Sequence, residues 1–200
     1  GGGGAGGRGG GGGGGAGVGL RAGTDGEGLD GGAAGGGVTP GARTLVGRLR
    51  RRGYTVAVGS GGCDHGVGPS AAQLGIDHAV ANRLEMVDGR LTGGLVGAVL
   101  DRAGKARELR RIAELERVPL EQTVAIGDGA NDLDMLAAAG LGVAFNAKPV
   151  LQAAADTSVN VPRLDAILFL LGIPADEIVL DPDDDEPLAP TGPGCVEPTA

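Results

Sequence analysis

The chain has 200 residues, enough for one ordinary domain with margins, and its formal net charge of −8 excludes a broad basic surface for nucleic acid. Its 44 glycines are far more than an ordinary domain uses, and most of them precede Val38. The two cysteines, Cys63 and Cys195, have no metal-ligand spacing and suggest no disulfide framework, which fits a reducing compartment.

Residues 1–37 are low in complexity. Such a segment loses much backbone entropy on ordering and buries almost nothing, so no stable structure is expected there. It matches G-x-G-x-x-G repeatedly, as any polyglycine does, and the match means nothing without a strand before it and a helix after it.

From Val38 the texture is that of a globular protein. Aromatic residues are scarce (Tyr54, Phe145, Phe169), so the core must be built from Leu, Val, Ile and Ala. Thr39-Pro40-Gly41 reads as a cap followed by proline at the first helical position. Leu45, Val46 and Leu49 form the apolar face of that helix, and Gly53 ends it. Tyr54 to Val58 reads as a short buried strand, and Gly59 to Gly62 as a tight loop after it. A weak helix through Leu74 is opposed by Gly66, Gly68 and Pro69.

Leu84 to Thr92 alternates around Asp88-Gly89, a hairpin signal. Lys105 to Arg117 reads as a helix with Leu109, Ile112 and Leu115 on one face. Thr123 to Ile126 is a second buried strand, Asn131 to Ala139 a helix closed by Gly140, and Leu141 to Phe145 a third strand. Helices over Val150 to Ala155 and Leu164 to Leu171 flank a short strand near Val159. From residue 176 the chain is acidic and proline-rich and reads as a solvated tail. The apolar run Ala166 to Ile173 is too short to span a bilayer, and no signal-peptide h-region begins the chain, so a cytoplasmic location away from membranes is expected.

Short apolar strands alternating with amphipathic helices specify an α/β domain with a parallel sheet over residues 38–175. Ligands of such sheets bind beyond the carboxyl ends of the strands. Two loops stand there. The stronger is Gly127-Asp128-Gly129-Ala130-Asn131-Asp132, where carboxylates at a strand end suit Mg²⁺ and glycines let the backbone approach a ligand. Asp132 also falls in the first turn of the next helix, where capping is the plain alternative. The other loop, Ser60-Gly61-Gly62, offers a hydroxyl and amides to an anion, although glycine and serine after a strand are more often only a turn. Lys105 alone reads as a surface charge; between two such loops it would neutralise a phosphoryl group. Cys63-Asp64-His65 has no further ligands to make it a metal site, and His78 reads as a surface or hairpin-edge histidine.

Serine loop, lysine and Gly-Asp-Gly-x-Asn-Asp, in this order, resemble the second, third and fourth motifs of the haloacid dehalogenase superfamily. Val38 to Arg43, Asp101 to Lys105, Gly127 to Leu136, Ala138 to Gly142, Ala144 to Pro149 and Leu168 to Gly172 are similar to its phosphoserine phosphatases, the actinobacterial kind especially. The resemblance implies a Rossmannoid parallel sheet with a small β-hairpin insertion, and Mg²⁺-dependent hydrolysis of O-phosphoserine in L-serine biosynthesis. It implies that Ser60 and the Gly61 amide bind phosphoryl oxygens, and that Lys105 holds the phosphate and stabilises an aspartyl-phosphate. It further implies that Asp128 ligates Mg²⁺, Asn131 contacts the phosphate side of the substrate, and Asp132 supports the metal shell.

The sequence departs from the family at its head. The family begins with a strand and Asp-x-Asp-x-Ser/Thr, whose first aspartate attacks phosphorus and whose second is the general acid and base. Residues 1–37 hold Asp25, Glu27 and Asp30 but no Asp-x-Asp pair and no apolar run, and no helical cap precedes Thr39. The implied sheet is therefore incomplete, with its nucleophile strand missing between the strands that end at Ser60 and Asp128, and little or no turnover is expected of this chain. Gly59 and Cys63 stand where the family has apolar and aromatic residues. The alternatives are a non-catalytic remnant that keeps a phosphate and Mg²⁺ site, and a frameshifted product of a GC-rich gene, in which glycine, alanine and arginine runs arise. The expected partner is the small phosphorylated amino acid, with a homodimer allowed for.

Overall fold

A computed structural model describes residues 38–87, 90–184, 186 and 188. Residues 1–37, expected to lack structure, and the Asp88-Gly89 turn lie outside the described residues, as do the side chains of the Cys63-Asp64-His65 cluster.

The first helix, α1, spans Ala42–Arg51 and buries Ala42, Thr44, Leu45, Val46 and Leu49, so the expected apolar face packs as read. Gly53, at φ 79°, takes the left-handed conformation that turns the chain out of the helix. The start of the helix differs from the expected Thr39 cap. Gly41 occupies the cap position at φ 82° and has no side chain to offer. A Cβ at Gly41 would lie 2.5 Å from Asp165 Oδ1, so close packing selects glycine there.

The missing cap comes from the other end of the sequence. Asp184 Oδ1 accepts from the Thr44 amide at 3.1 Å, and the Asp181 amide donates to Thr44 Oγ1 at 2.7 Å. Arg48 donates twice to the Val179 carbonyl, and Arg52 pairs with Glu177. The expectation of a solvated tail from residue 176 therefore fails as far as Asp184, which is 3% exposed. Acidic composition reads as solvation, but here the carboxylate satisfies one orphan N–H group at the positive end of a helix.

Strands β1 (Ala57–Cys63), β2 (His78–Val87) and β3 (Arg90–Val96) form one three-stranded sheet in that order. β2 pairs parallel to β1 over His78 to Ala81 and antiparallel to β3 over Arg83 to Val87. The hairpin expected as an insertion thus begins with a strand that also pairs parallel with β1. Tyr54, expected in the first strand, is 47% exposed and precedes it. β1 instead runs on through the expected loop, and its register with β2 slips between Ser60 and Cys63. Helix α2 spans Asp64–Leu74 despite Pro69, and buries Val67 and Ala71.

Helix α3 covers Arg102–Leu115, capped by Asp101, whose carboxylate accepts from the Gly104 amide at 2.7 Å. Its buried face is Gly104, Lys105, Ala106 and Ala113, with Leu109 partly buried. Leu115, expected on that face, is 58% exposed. The helix thus packs through its small residues, and its charged face lies outward.

The second sheet is β4 (Val124–Gly127), β5 (Leu141–Phe145) and β6 (Thr157–Val159), parallel throughout. Helices α4 (Leu133–Ala138), α5 (Pro149–Gln152) and α6 (Ile167–Leu170) connect or flank these strands, and 3-10 turns at Ala130–Asp132 and Leu164–Ala166 lead into α4 and α6. Among the described residues β1 and β4 lie in separate three-stranded sheets rather than in one. One apolar core still joins the two halves, with Val58, Leu45 and Val46 packed in the same cluster as Ile126, Val143, Leu164 and Leu168. Among the described residues no helix is long and apolar enough to cross a membrane.

Candidate phosphoryl-binding site

β4 delivers Asp128 and its glycines to the carboxyl end of the second sheet. Asp132, four residues on and fully buried, organises that end. Its Oδ2 accepts from the Asp128 amide at 3.2 Å and the Gly129 amide at 3.1 Å, folding the loop around itself. Its Oδ1 accepts from Lys105 Nζ at 2.6 Å. Both side chains of the pair are within 1% of complete burial. Lys105, read in isolation as a surface charge, is in fact a buried cation, reached because α3 lays its first turn against the Asp132 turn. An ion pair removed from water persists only when its geometry is good and its other lone pairs are used, as the two amides use those of Asp132.

Gly127 is expected to let the backbone approach a ligand, but its neighbour is internal. A Cβ there would lie 2.4 Å from Asp132 Cβ, so the glycine makes room for the organising carboxylate. Asn131 lies in the same turn, and its Oδ1 is buried with no hydrogen-bond partner. A buried acceptor in that condition is a place for a donor from outside the described residues.

Ser60 is 5% exposed in the middle of β1, within the strand rather than beyond it. Gly59 and Gly61 both face Leu100, at 3.6 Å from its side chain and 3.7 Å from its carbonyl oxygen, measured from an ideal Cβ. Leu100 stands five residues before Lys105. The structure therefore brings the serine loop onto the segment that enters α3, and it joins Lys105 directly to the Asp128 loop.

Two contributors were not legible as site residues. Asn82, on β2, donates to the Gly61 carbonyl at 2.9 Å and accepts from the Leu100 amide at 2.7 Å. Its signal in the sequence is a lone amide after the apolar run Ala79-Val80-Ala81. Gly104 is the other; a Cβ there would lie 2.4 Å from the Val99 carbonyl oxygen, so glycine permits the tight entry to α3. On the outer rim Arg102 donates to Asp134 Oδ1 at 2.8 and 2.5 Å, linking α3 to α4. That hydrogen bond holds the Asp134 carboxyl below the usual aspartate range and the Arg102 guanidinium above its own. His78, expected at an edge, opens β2 and pairs with Glu116 at 2.8 Å.

Among the described residues no group of three His, Cys, Asp or Glu side chains gathers to hold a metal ion. Asp132 is committed to Lys105 and two amides. Mg²⁺ is commonly held by one or two carboxylates with waters and phosphate oxygens.

The model of the haloacid dehalogenase-like hydrolases matches residues 24–137. The chain is 60% identical over 161 residues to the phosphoserine phosphatase of Streptomyces coelicolor, an alignment that covers 80% of this chain and 39% of that protein. It is 51% identical to the phosphoserine phosphatase SerB2 of Mycobacterium tuberculosis, with the same coverage of each. A solved substrate-bound phosphoserine phosphatase complex superposes with a TM-score of 0.63 at 47% identity, covering 66% of this chain and 63% of that one. The chain spans about two-fifths of the length of these two curated relatives.

Proposed function

Because the chain belongs to the haloacid dehalogenase-like hydrolase family, we propose that it carries the phosphoryl-binding part of a phosphoserine phosphatase. The whole reaction is hydrolysis of O-phosphoserine to serine and phosphate, in the making of L-serine. The observation that carries this reading is the buried Lys105–Asp132 pair, which fixes a cation beside the Asp128 loop at the carboxyl end of β4. A phosphoryl group in transfer spreads negative charge over its equatorial oxygens, and positioned cations and amides stabilise it. Lys105 supplies the cation, Ser60 with the Gly61 amide the second set of donors, and Asn131 a contact on the substrate side. Asp132 keeps Lys105 and the Asp128 loop in register. Phosphatases of this family generally need a divalent metal; Mg²⁺ suits Asp128, and when bound it would neutralise phosphate charge.

The nucleophile is the part this reading does not assign. No Asp-x-Asp pair stands before Val38, and covalent catalysis without an attacking group loses the step it depends on. The 200-residue chain alone is therefore a phosphate-binding body with little turnover. The test is calorimetry with inorganic phosphate in the presence of Mg²⁺, beside a phosphate-release assay on O-phosphoserine. Saturable phosphate binding that K105A abolishes is expected. Absence of binding would overturn the site, and release at rates typical of the family, about 1–10³ s⁻¹ for an enzyme in general, would overturn the lack of turnover.

A further inference from the structure

We infer that Asn82 is a positioning residue that locks the irregular Ser60–Gly61 stretch of β1 to the segment delivering Lys105. This rests on the phosphoryl-binding reading above.

The backbone of the first sheet does not hold that stretch by itself. Parallel pairing of β1 with β2 runs from Ala57–His78 to Ser60–Ala81 and resumes only at Cys63–Asn82, so Gly61 falls in the slip. At that point the side chain of Asn82 takes over from the ladder. Its Nδ2 donates to the Gly61 carbonyl, and its Oδ1 accepts from the Leu100 amide. Only one orientation of the amide satisfies both partners, since one needs a donor and the other an acceptor.

Asn82 is 8% exposed, and a buried amide is tolerated where its hydrogen bonds are made. Its two partners belong to different elements, which a residue serving only its own strand would not require. Beyond Leu100 the line continues without a break. Asp101 caps α3 through the Gly104 amide, and its carbonyl accepts from the Lys105 amide. Lys105 Nζ then reaches Asp132, and Asp132 holds the Asp128 and Gly129 amides. Hydrogen bonds and adjacent peptide units thus run from Gly61 to Gly129, and Asn82 is the only side chain in that line supplied by β2. Losing it frees the serine loop from the lysine, and displacements of about 1 Å between such groups cost up to ~100-fold in function.

The experiment compares the full chain with N82A, the near-isosteric N82L, and L49A as a destabilised control in the core of α1. Phosphate affinity is read by calorimetry, and the buried Lys105 ammonium by ¹H–¹⁵N NMR without ligand. Both Asn82 variants should weaken phosphate by about tenfold or more, and should shift or broaden the Lys105 ammonium signal. L49A should move neither beyond its loss of folded population. Parent-like affinity and an unmoved Lys105 signal in a folded Asn82 variant would overturn the inference, as would equal effects from L49A. If the parent binds no phosphate, the phosphoryl-binding reading fails, and the Lys105 signal alone decides whether Asn82 positions that lysine. Should N82A not fold, N82L carries the comparison.

Discussion

The Asp128 loop and the Ser60–Gly61 stretch of β1 are held by opposite means. The Asp128 loop is organised from within, by a carboxylate four residues downstream that binds two of its own amides. The Ser60 loop is organised from outside, by Asn82, twenty-one residues away on another strand. A loop braced by a near neighbour forms with its turn, whereas a loop braced across a sheet forms only once the sheet has paired. The first is a property of a segment, the second a property of the fold.

The strongest way to break this contrast is at Lys105. Replacing it with methionine leaves Asp132 as a buried carboxylate without its cation, and stranding one member of such a pair costs ~3–5 kcal/mol. Urea unfolding of K105M should show a large drop in midpoint at unchanged slope. A loss below ~1 kcal/mol would mean that the amides alone suffice for Asp132.

Glycine substitutions sharpen the contrast at smaller scale. In G127A the new methyl meets Asp132 Cβ at 2.4 Å, and overpacking of this kind costs ~1–3 kcal/mol. In G61A the nearest atom is the Leu100 carbonyl oxygen at 3.7 Å, an ordinary contact. That change should be neutral or stabilising by up to ~1 kcal/mol through the unfolded chain. Paired denaturation curves would test this, and similar losses in both variants would erase the difference drawn between the loops.

The smallest effect lies on the exposed rim. The Arg102 hydrogen bond lowers the folded pKa of Asp134, so its contribution to stability is present above the unfolded aspartate value and is lost as pH falls through the lowered one. The side-chain carboxyl carbon of Asp134 should titrate below the ordinary aspartate range by NMR, and R102A should return it upward. An unchanged titration in R102A would show that the two side chains do not meet in solution.

The same contrast explains what was legible in the sequence. Asp128, Asn131 and Asp132 sit in one short run, where strand, turn and helix start follow each other, and their placement could be read directly. β5 matches its expected bounds, Leu141 to Phe145, because a buried parallel strand shows as an unbroken apolar run. Lys105 could be located but not its burial, because the carboxylate that receives it is twenty-seven residues away. Asn82 carried no short-range signal beyond one polar residue after an apolar stretch. Thr39 does not serve as the cap because its rival, Gly41, is selected by Asp165, a contact that exists only after folding. The acidic segment after residue 176 hides its role for the same reason, since it meets Thr44 and Arg48 only after folding.

That acidic segment sets an order of events during synthesis. The amide of Thr44 and the carboxylate that caps it are 140 residues apart. At ~5–20 residues per second, α1 leaves the ribosome on the order of 10 s before Asp184 is made. In that interval the helix has a glycine at its cap and no acidic residue in its first turn. Its nascent form must therefore rest on the Leu45–Val46–Leu49 face alone, and the arrival of Asp184 acts as a late latch that closes the first helix against the last described part of the chain.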